Sequence, residues 1–136
     1  MASRAPKRVI MLVDDDRAFR DMVRMALREA DVLNGEAVVY PVGSGAEALL
    51  YLRSVKPDLV ILDLKLPDMD GLELCRRLRA DPVLRHVPVL AVSALSPSGR
   101  VRDRALAAGC TSFLAKPFDL DAFAAEMRTL LPQQGH

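Results

Sequence analysis

The chain has 136 residues, 51% of them hydrophobic, and 19 lysines and arginines against 18 aspartates and glutamates give a formal charge of +1. That length supports one domain with a full core and is too short for two of ordinary size. The near-balance of charge, with no helical segment pairing a continuous basic face with aromatics, argues against direct nucleic-acid binding.

The longest apolar stretches are strand-sized and broken by charge. The start, Met1-Ala2-Ser3-Arg4-Ala5-Pro6-Lys7-Arg8, leads into a strand rather than a signal-peptide apolar region, so a cytoplasmic protein without membrane contact is expected. Cys75 and Cys110 lack metal-ligand spacing and read as reduced, partly buried thiols.

Strand-length apolar runs alternate with segments of helical period, the pattern of repeated βα units and a parallel sheet. The first strand is expected over residues 8–13. The first helix runs from near Asp16 to Ala30, with an inward stripe of Phe19, Met22, Val23, Ala26, Leu27 and Ala30. The second strand, about 37–42, contains Pro41, which cannot donate a ladder hydrogen bond and so marks an edge. A helix then opens at Ser44, where Ser44 and Glu47 have capping-box spacing. Leu59-Val60-Ile61-Leu62 is uninterrupted and apolar, as a central strand covered on both faces should be.

The loop 65–71 leads to a third helix with Leu72, Leu74, Cys75 and Leu78 inward, and Pro82 helps to end it. A fourth strand is expected over 87–92. Ser96-Pro97 then reads as an N-cap followed by a proline at the first helical position. The fourth helix turns Val101, Ala105 and Leu106 inward, keeps Arg100, Arg102 and Arg104 outward, and ends at Gly109. A fifth strand over 111–115 and a fifth helix, with Leu120, Phe123, Ala124, Met127, Leu130 and Leu131 as core, complete five βα units in one domain of 1–136, core about 8–131.

Val13-Asp14-Asp15-Asp16, Leu62-Asp63 and Ala115-Lys116-Pro117-Phe118 each put charge at the end of an apolar run. In an open parallel sheet those strand ends share one edge, so the acids and the lysine converge on one crevice. At least three carboxylates beside one ammonium repel each other unless a cation joins them, and hard oxygen ligands suit a magnesium-type ion. These residues describe a metal-dependent phosphoryl acceptor. Asp16 reads better as a helix cap than as a ligand, and Asp68 and Asp70 as turn-forming or solvated acids. His86 and His136 stand apart from the acids.

Taken together and in order, these segments resemble the receiver domain of two-component response regulators along almost the whole chain. The resemblance implies a flavodoxin-like (βα)5 three-layer sandwich with a parallel five-stranded sheet in the order 2-1-3-4-5. It makes Asp63, in Val60-Ile61-Leu62-Asp63-Leu64-Lys65-Leu66-Pro67-Asp68-Met69-Asp70-Gly71, the aspartate that accepts a phosphoryl group from a histidine kinase or a histidine phosphotransfer protein. Asp14, Asp15, Asp63 and the backbone carbonyl of Lys65 would hold Mg2+ or Mn2+. Lys116 would pair with the phosphoryl oxygens, ahead of a cis bond to Pro117. Ser93 would hydrogen-bond the phosphoryl group, with Ala94 leaving space beside it, and Phe113 would be the aromatic switch residue, with buried strand packing as the lesser alternative.

The implied output is a conformational change of the face made by the fourth helix, fifth strand and fifth helix, read by a downstream protein. A monomer, or a weak phosphorylation-dependent dimer, goes with it, as does no turnover beyond self-phosphorylation and slow self-dephosphorylation. Lys65 and Leu95 would flank the phosphoryl group, and neither side chain can accept a proton from an attacking water. Two alternatives stand beside this reading. A haloacid-dehalogenase-type phosphohydrolase would use acids two residues apart after the first strand, as Asp14 and Asp16 are, but needs a cap domain for which the chain has no room. A pseudo-receiver would have lost part of the acid and lysine set.

Overall fold

The computed structural model describes residues 8–30, 37–94 and 98–131. Five strands, β1 (Arg8–Val13), β2 (Ala37–Val42), β3 (Leu59–Asp63), β4 (Val89–Ala94) and β5 (Ser112–Lys116), alternate with five helices, α1 (Arg17–Ala30), α2 (Gly45–Leu52), α3 (Gly71–Ala80), α4 (Arg100–Ala107) and α5 (Leu120–Leu130). The strands form one parallel sheet in the order β2-β1-β3-β4-β5. The order reverses at β1 and β3, which opens a crevice at their carboxyl ends.

Successive strand residues point to opposite faces, and the core divides accordingly. Met11, Val13, Val60, Leu62, Val89 and Ala91 meet Ala48 of α2, Leu74, Cys75 and Leu78 of α3 and Ala105 of α4. Ile10, Leu12, Leu59, Ile61, Leu90 and Val92 meet Val23 and Leu27 of α1 and Phe123, Ala124 and Met127 of α5. Every residue of β3 is buried. Pro41 is exposed on the edge strand β2, where its missing N–H costs no ladder bond. Cys75 and Cys110 are free thiols, buried in the same cluster.

Several expected boundaries shift. β4 starts at Val89 rather than Val87, because the Val87 N–H closes a turn onto the Leu84 carbonyl at 3.0 Å. Val87 is buried all the same, so its apolar character reported burial and not extension. The strand runs on to Ala94 because that residue pairs with Lys116 of β5. Ser96-Pro97, expected to open the fourth helix, lie outside the described residues. Among those described, α4 begins at Arg100, after Gly99 at φ +70, a left-handed turn that a residue without a Cβ makes freely.

Met22, Leu106 and Leu120, expected in the core, are 43%, 42% and 41% exposed. Each sits at the border of its helix's stripe. In α4 the inward line runs Val101, Ala105, Ala108, and Leu106 lies about 100° around the helix from Ala105. The Ala30 side chain is outside the described set.

Candidate functional site

The site is built at the carboxyl edge of β1, β3, β4 and β5. Chain continuity fixes its back wall: the Asp14 N–H donates to the Val42 carbonyl at 3.0 Å, so β1 delivers Asp14 beside β2. Arg20, one turn into α1, donates through Nη1 to the Asp14 carbonyl at 2.9 Å. Asp14 is 1% exposed, whereas Asp15 points to solvent. Asp16 turns to α1, where its Oδ1 accepts the N–H groups of Ala18 at 3.0 Å and Phe19 at 3.3 Å. That is a helix N-cap.

Asp63 ends β3 and is nearly buried, and its Oδ1 accepts the Lys65 N–H at 3.0 Å. Close approach of the next helix is what makes Gly71 necessary. A Cβ there would lie 2.7 Å from both the Asp63 carbonyl oxygen and the Leu64 Cα, while the Gly71 N–H donates to the Leu64 carbonyl at 3.0 Å. Ligand oxygens of Asp14, Asp15 and Asp63 lie within 4.8 Å of one another. Three carboxylates that close suit a hard cation, magnesium in particular, which keeps several waters and needs few protein ligands.

Lys116, at the end of β5, supplies the opposite charge. Its Nζ is 3.0 Å from Asp14 Oδ2 and 3.6 Å from Asp63 Oδ2. The bond from Lys116 to Pro117 is cis. Burial pushes the Asp63 carboxyl above its ordinary value, and the Asp14 charge adds to the effect. The Lys65 N–H and the Lys116 ammonium pull the other way without cancelling it.

Ser93, 3% exposed, stands at the end of β4, one residue before the exposed Ala94. It lines a cleft of about 250 Å³ with Leu64, Lys65, Asp70, Leu72, Val101 and Arg104. Phe113 is buried, packed within the cluster on the α2–α3–α4 face. Leu95 and His136 lie outside the described residues, and His86 is exposed, away from the acids.

Three contacts go beyond what the residue pattern conveyed. Asp68 is not merely a turn acid: its Oδ1 and Oδ2 accept the N–H groups of Gly45 at 2.9 Å and Ala46 at 2.8 Å, clamping the β3–α3 loop onto the start of α2. Those two N–H groups hold its carboxyl below the usual value. Asp70 caps its own helix by accepting the Leu72 N–H at 2.9 Å. The Lys116 ammonium also sits over the Phe19 ring, 4.0 Å from its centroid. Phe19 lies on the expected helical stripe, and no spacing rule connects it to a lysine 97 positions away.

A family model described as the response regulator receiver domain matches residues 10–128. The chain is 42% identical over 123 residues to the response regulator MprA of Mycolicibacterium vanbaalenii, covering 90% of this chain and 49% of that protein. It is 36% identical over 124 residues to the DNA-binding dual master transcriptional regulator RpaA of Synechocystis, covering 90% and 48%. The chain thus spans about half the length of the curated relatives it matches.

Among solved structures, the receiver domain of a sensor histidine kinase from Pseudomonas aeruginosa, with a magnesium ion coordinated in its active-site cleft, superimposes with a TM-score of 0.78 at 27% identity, covering 91% of this chain and 97% of that one. The chemotaxis response regulator CheY4 of Vibrio cholerae gives a TM-score of 0.80 at 26% identity, covering 92% and 99%. With the sheet order, the acid triad and nearly the whole chain in agreement, this protein belongs to the response regulator receiver domain family of two-component signalling.

Proposed function

We propose that this chain is a single receiver domain that takes a phosphoryl group on Asp63 from the phosphohistidine of a histidine kinase or phosphotransfer protein. The observation that carries this reading is the convergence of Asp14, Asp15, Asp63 and Lys116 at the carboxyl edge of the sheet. As a carboxylate oxygen of Asp63 bonds to phosphorus, the bond from phosphorus to the donor nitrogen breaks, and the work left to the protein is positioning and charge. Asp14, Asp15, Asp63 and the Lys65 carbonyl would hold a Mg2+ or Mn2+ ion, whose contribution is to offset charge on the phosphoryl oxygens. Lys116 orients those oxygens from the opposite side, and Asp16, engaged with the α1 amides, speaks against a hydrolase that uses Asp14 and Asp16 as its pair.

Acetyl phosphate with Mg2+ is expected to add one phosphoryl group, which fragmentation mass spectrometry places on Asp63. An adduct on another residue, or one that persists in Asp63→Asn, would overturn the assignment.

In this reading Ser93 and Ala94 border the phosphoryl group, and Ser93 and Phe113 carry the response to the α4–β5–α5 face, where a downstream protein docks. The added charge, about 1.5 to 2 units, is offset by the ion and Lys116. A charged hydrogen bond to Ser93 together with the Lys116 pair supplies roughly the few kcal/mol a usable switch needs. Amide exchange in residues 98–106 and around Phe113 is expected to change when a phosphoryl mimic and Mg2+ are added, and to stay flat in Lys116→Ala. Unchanged exchange in the wild type would remove the switch. The proposed setting is the cytoplasm; among the described residues no helix is long and apolar enough to cross a membrane.

A further inference from the structure

Among the described residues, three groups hold the Lys116 ammonium, and two of them are charged. Asp14 Oδ2 lies at 3.0 Å, Asp63 Oδ2 at 3.6 Å, and the face of the Phe19 ring is 4.0 Å from Nζ. Lys116 is part-exposed, with its side chain 26% accessible, so without the ring a flexible four-carbon stem would have water as a competing environment on that side. An aromatic face carries negative potential and cannot compete for a proton, so it attracts the ammonium without spending one of its N–H donors on a strong acceptor. The ring itself is fixed. Phe19 meets Phe118 edge to face at 5.9 Å and 87°, Phe118 stacks on Phe123 at 5.7 Å, and Phe123 is fully buried. A line of three rings therefore runs from the core to the lysine.

We infer that Phe19 is a positioning residue for Lys116: its ring holds the ammonium at the carboxylate cluster, ready for phosphoryl oxygens, and keeps it from swinging into solvent. The contact matters most once a divalent ion occupies the acids, because the ion then weakens the pull of Asp14 and Asp63 on the lysine and leaves the ring as the remaining restraint. This rests on the reading of Asp63 as the phosphoryl acceptor.

Phe19→Leu keeps an apolar side chain and removes the π face, whereas Phe19→Tyr keeps the face. Labelling of Asp63 by acetyl phosphate with saturating Mg2+ is expected to slow about fivefold in Phe19→Leu, the size of a part-exposed cation–π contact, and to stay within about twofold in Phe19→Tyr. In a Lys116→Ala background the leucine substitution should have no further effect, since the ring would have nothing left to hold. Proton NMR adds a direct signature: the Lys116 ε-methylene resonances should be shifted upfield by the ring in the wild type and in Phe19→Tyr, and should return to ordinary lysine values in Phe19→Leu.

Equal labelling rates for Phe19→Leu and wild type would overturn the inference. So would a leucine defect that persists undiminished in the Lys116→Ala background, which would make the ring a packing element alone. If wild-type Asp63 takes no label at all, the phosphoacceptor reading fails, while the Lys116 ring shift still decides whether Phe19 restrains the lysine.

Discussion

Chelating the divalent ion is expected to slow labelling of Asp63 by at least about a hundredfold. Three carboxylates against one ammonium leave the cluster with two negative charges in excess when they are ionised, and a phosphoryl donor arrives carrying negative oxygens. Like unit charges about 4 Å apart repel by roughly 4 kcal/mol at an effective dielectric of 20, which is on the order of a thousandfold in rate. A divalent cation cancels the excess, and Lys116 alone does not. The check is the initial rate of adduct formation across a Mg2+ titration, with EDTA as the zero point. Asp14→Asn should demand a higher Mg2+ concentration for the same rate, because Asp14 combines near-complete burial with membership of the acid triad. A rate in EDTA within tenfold of the Mg2+ rate would show that the acids serve some other purpose.

The second large effect concerns stability, and its sign opposes the usual cost of altering a buried residue. Without metal, burial and the Asp14 charge raise the Asp63 carboxyl above its ordinary value. A group raised by folding contributes stability fully below its unfolded value, and that contribution is lost as pH rises through the folded value. At neutral pH, then, ionised Asp63 weakens the metal-free fold. Asp63→Asn removes the charge and keeps an oxygen for the Lys65 N–H, so it is expected to melt higher than wild type by several degrees, the shift that about 1 kcal/mol produces in a domain of this size. The gap should shrink as pH falls toward 4. Mg2+ at ten times its dissociation constant should stabilise the wild type by about 1.4 kcal/mol and the variant far less. Scanning calorimetry with EDTA and with Mg2+, at neutral and acid pH, reads all of these. A variant that melts lower than wild type at neutral pH without metal would contradict the account.

Much of the architecture was legible because its causes are local. The unbroken run Leu59 to Leu62 reads as a strand covered on both faces, and every residue of that strand is buried. Ser44 followed by Glu47 marked the start of α2, where the Ser44 hydroxyl accepts the Glu47 N–H at 3.1 Å. Pro41 marked the edge. Where local cues misled, a tertiary contact had taken over. The apolar Val87 belongs to the turn between α3 and β4 and buries its own side chain in the core while its neighbours Arg85 and His86 stay exposed, and Arg79 ties it down by donating to the Val87 carbonyl at 2.7 Å and the Gly109 carbonyl at 2.8 Å. Met22, Leu106 and Leu120 follow helical spacing, yet each helix has only one neighbouring layer, so residues at the stripe's edge stay in water.

For the site, the sequence by itself determined which charges leave which strand ends, and hence that Asp14, Asp15, Asp63 and Lys116 share one edge. Strand direction in a parallel sheet dictates that much, whatever the side chains then do. Tertiary structure alone decided how those charges are held. From its loop Asp68 reaches across to the Gly45 and Ala46 amides of α2, Arg20 grips the Asp14 carbonyl, and a ring from α1 comes to lie under the lysine of β5. Such contacts join residues up to 97 positions apart in the chain. Neither propensity nor periodicity reaches that far, because both describe a residue's relation to its own helix or strand, whereas these contacts depend on where two independently formed elements end up after the sheet has brought them together.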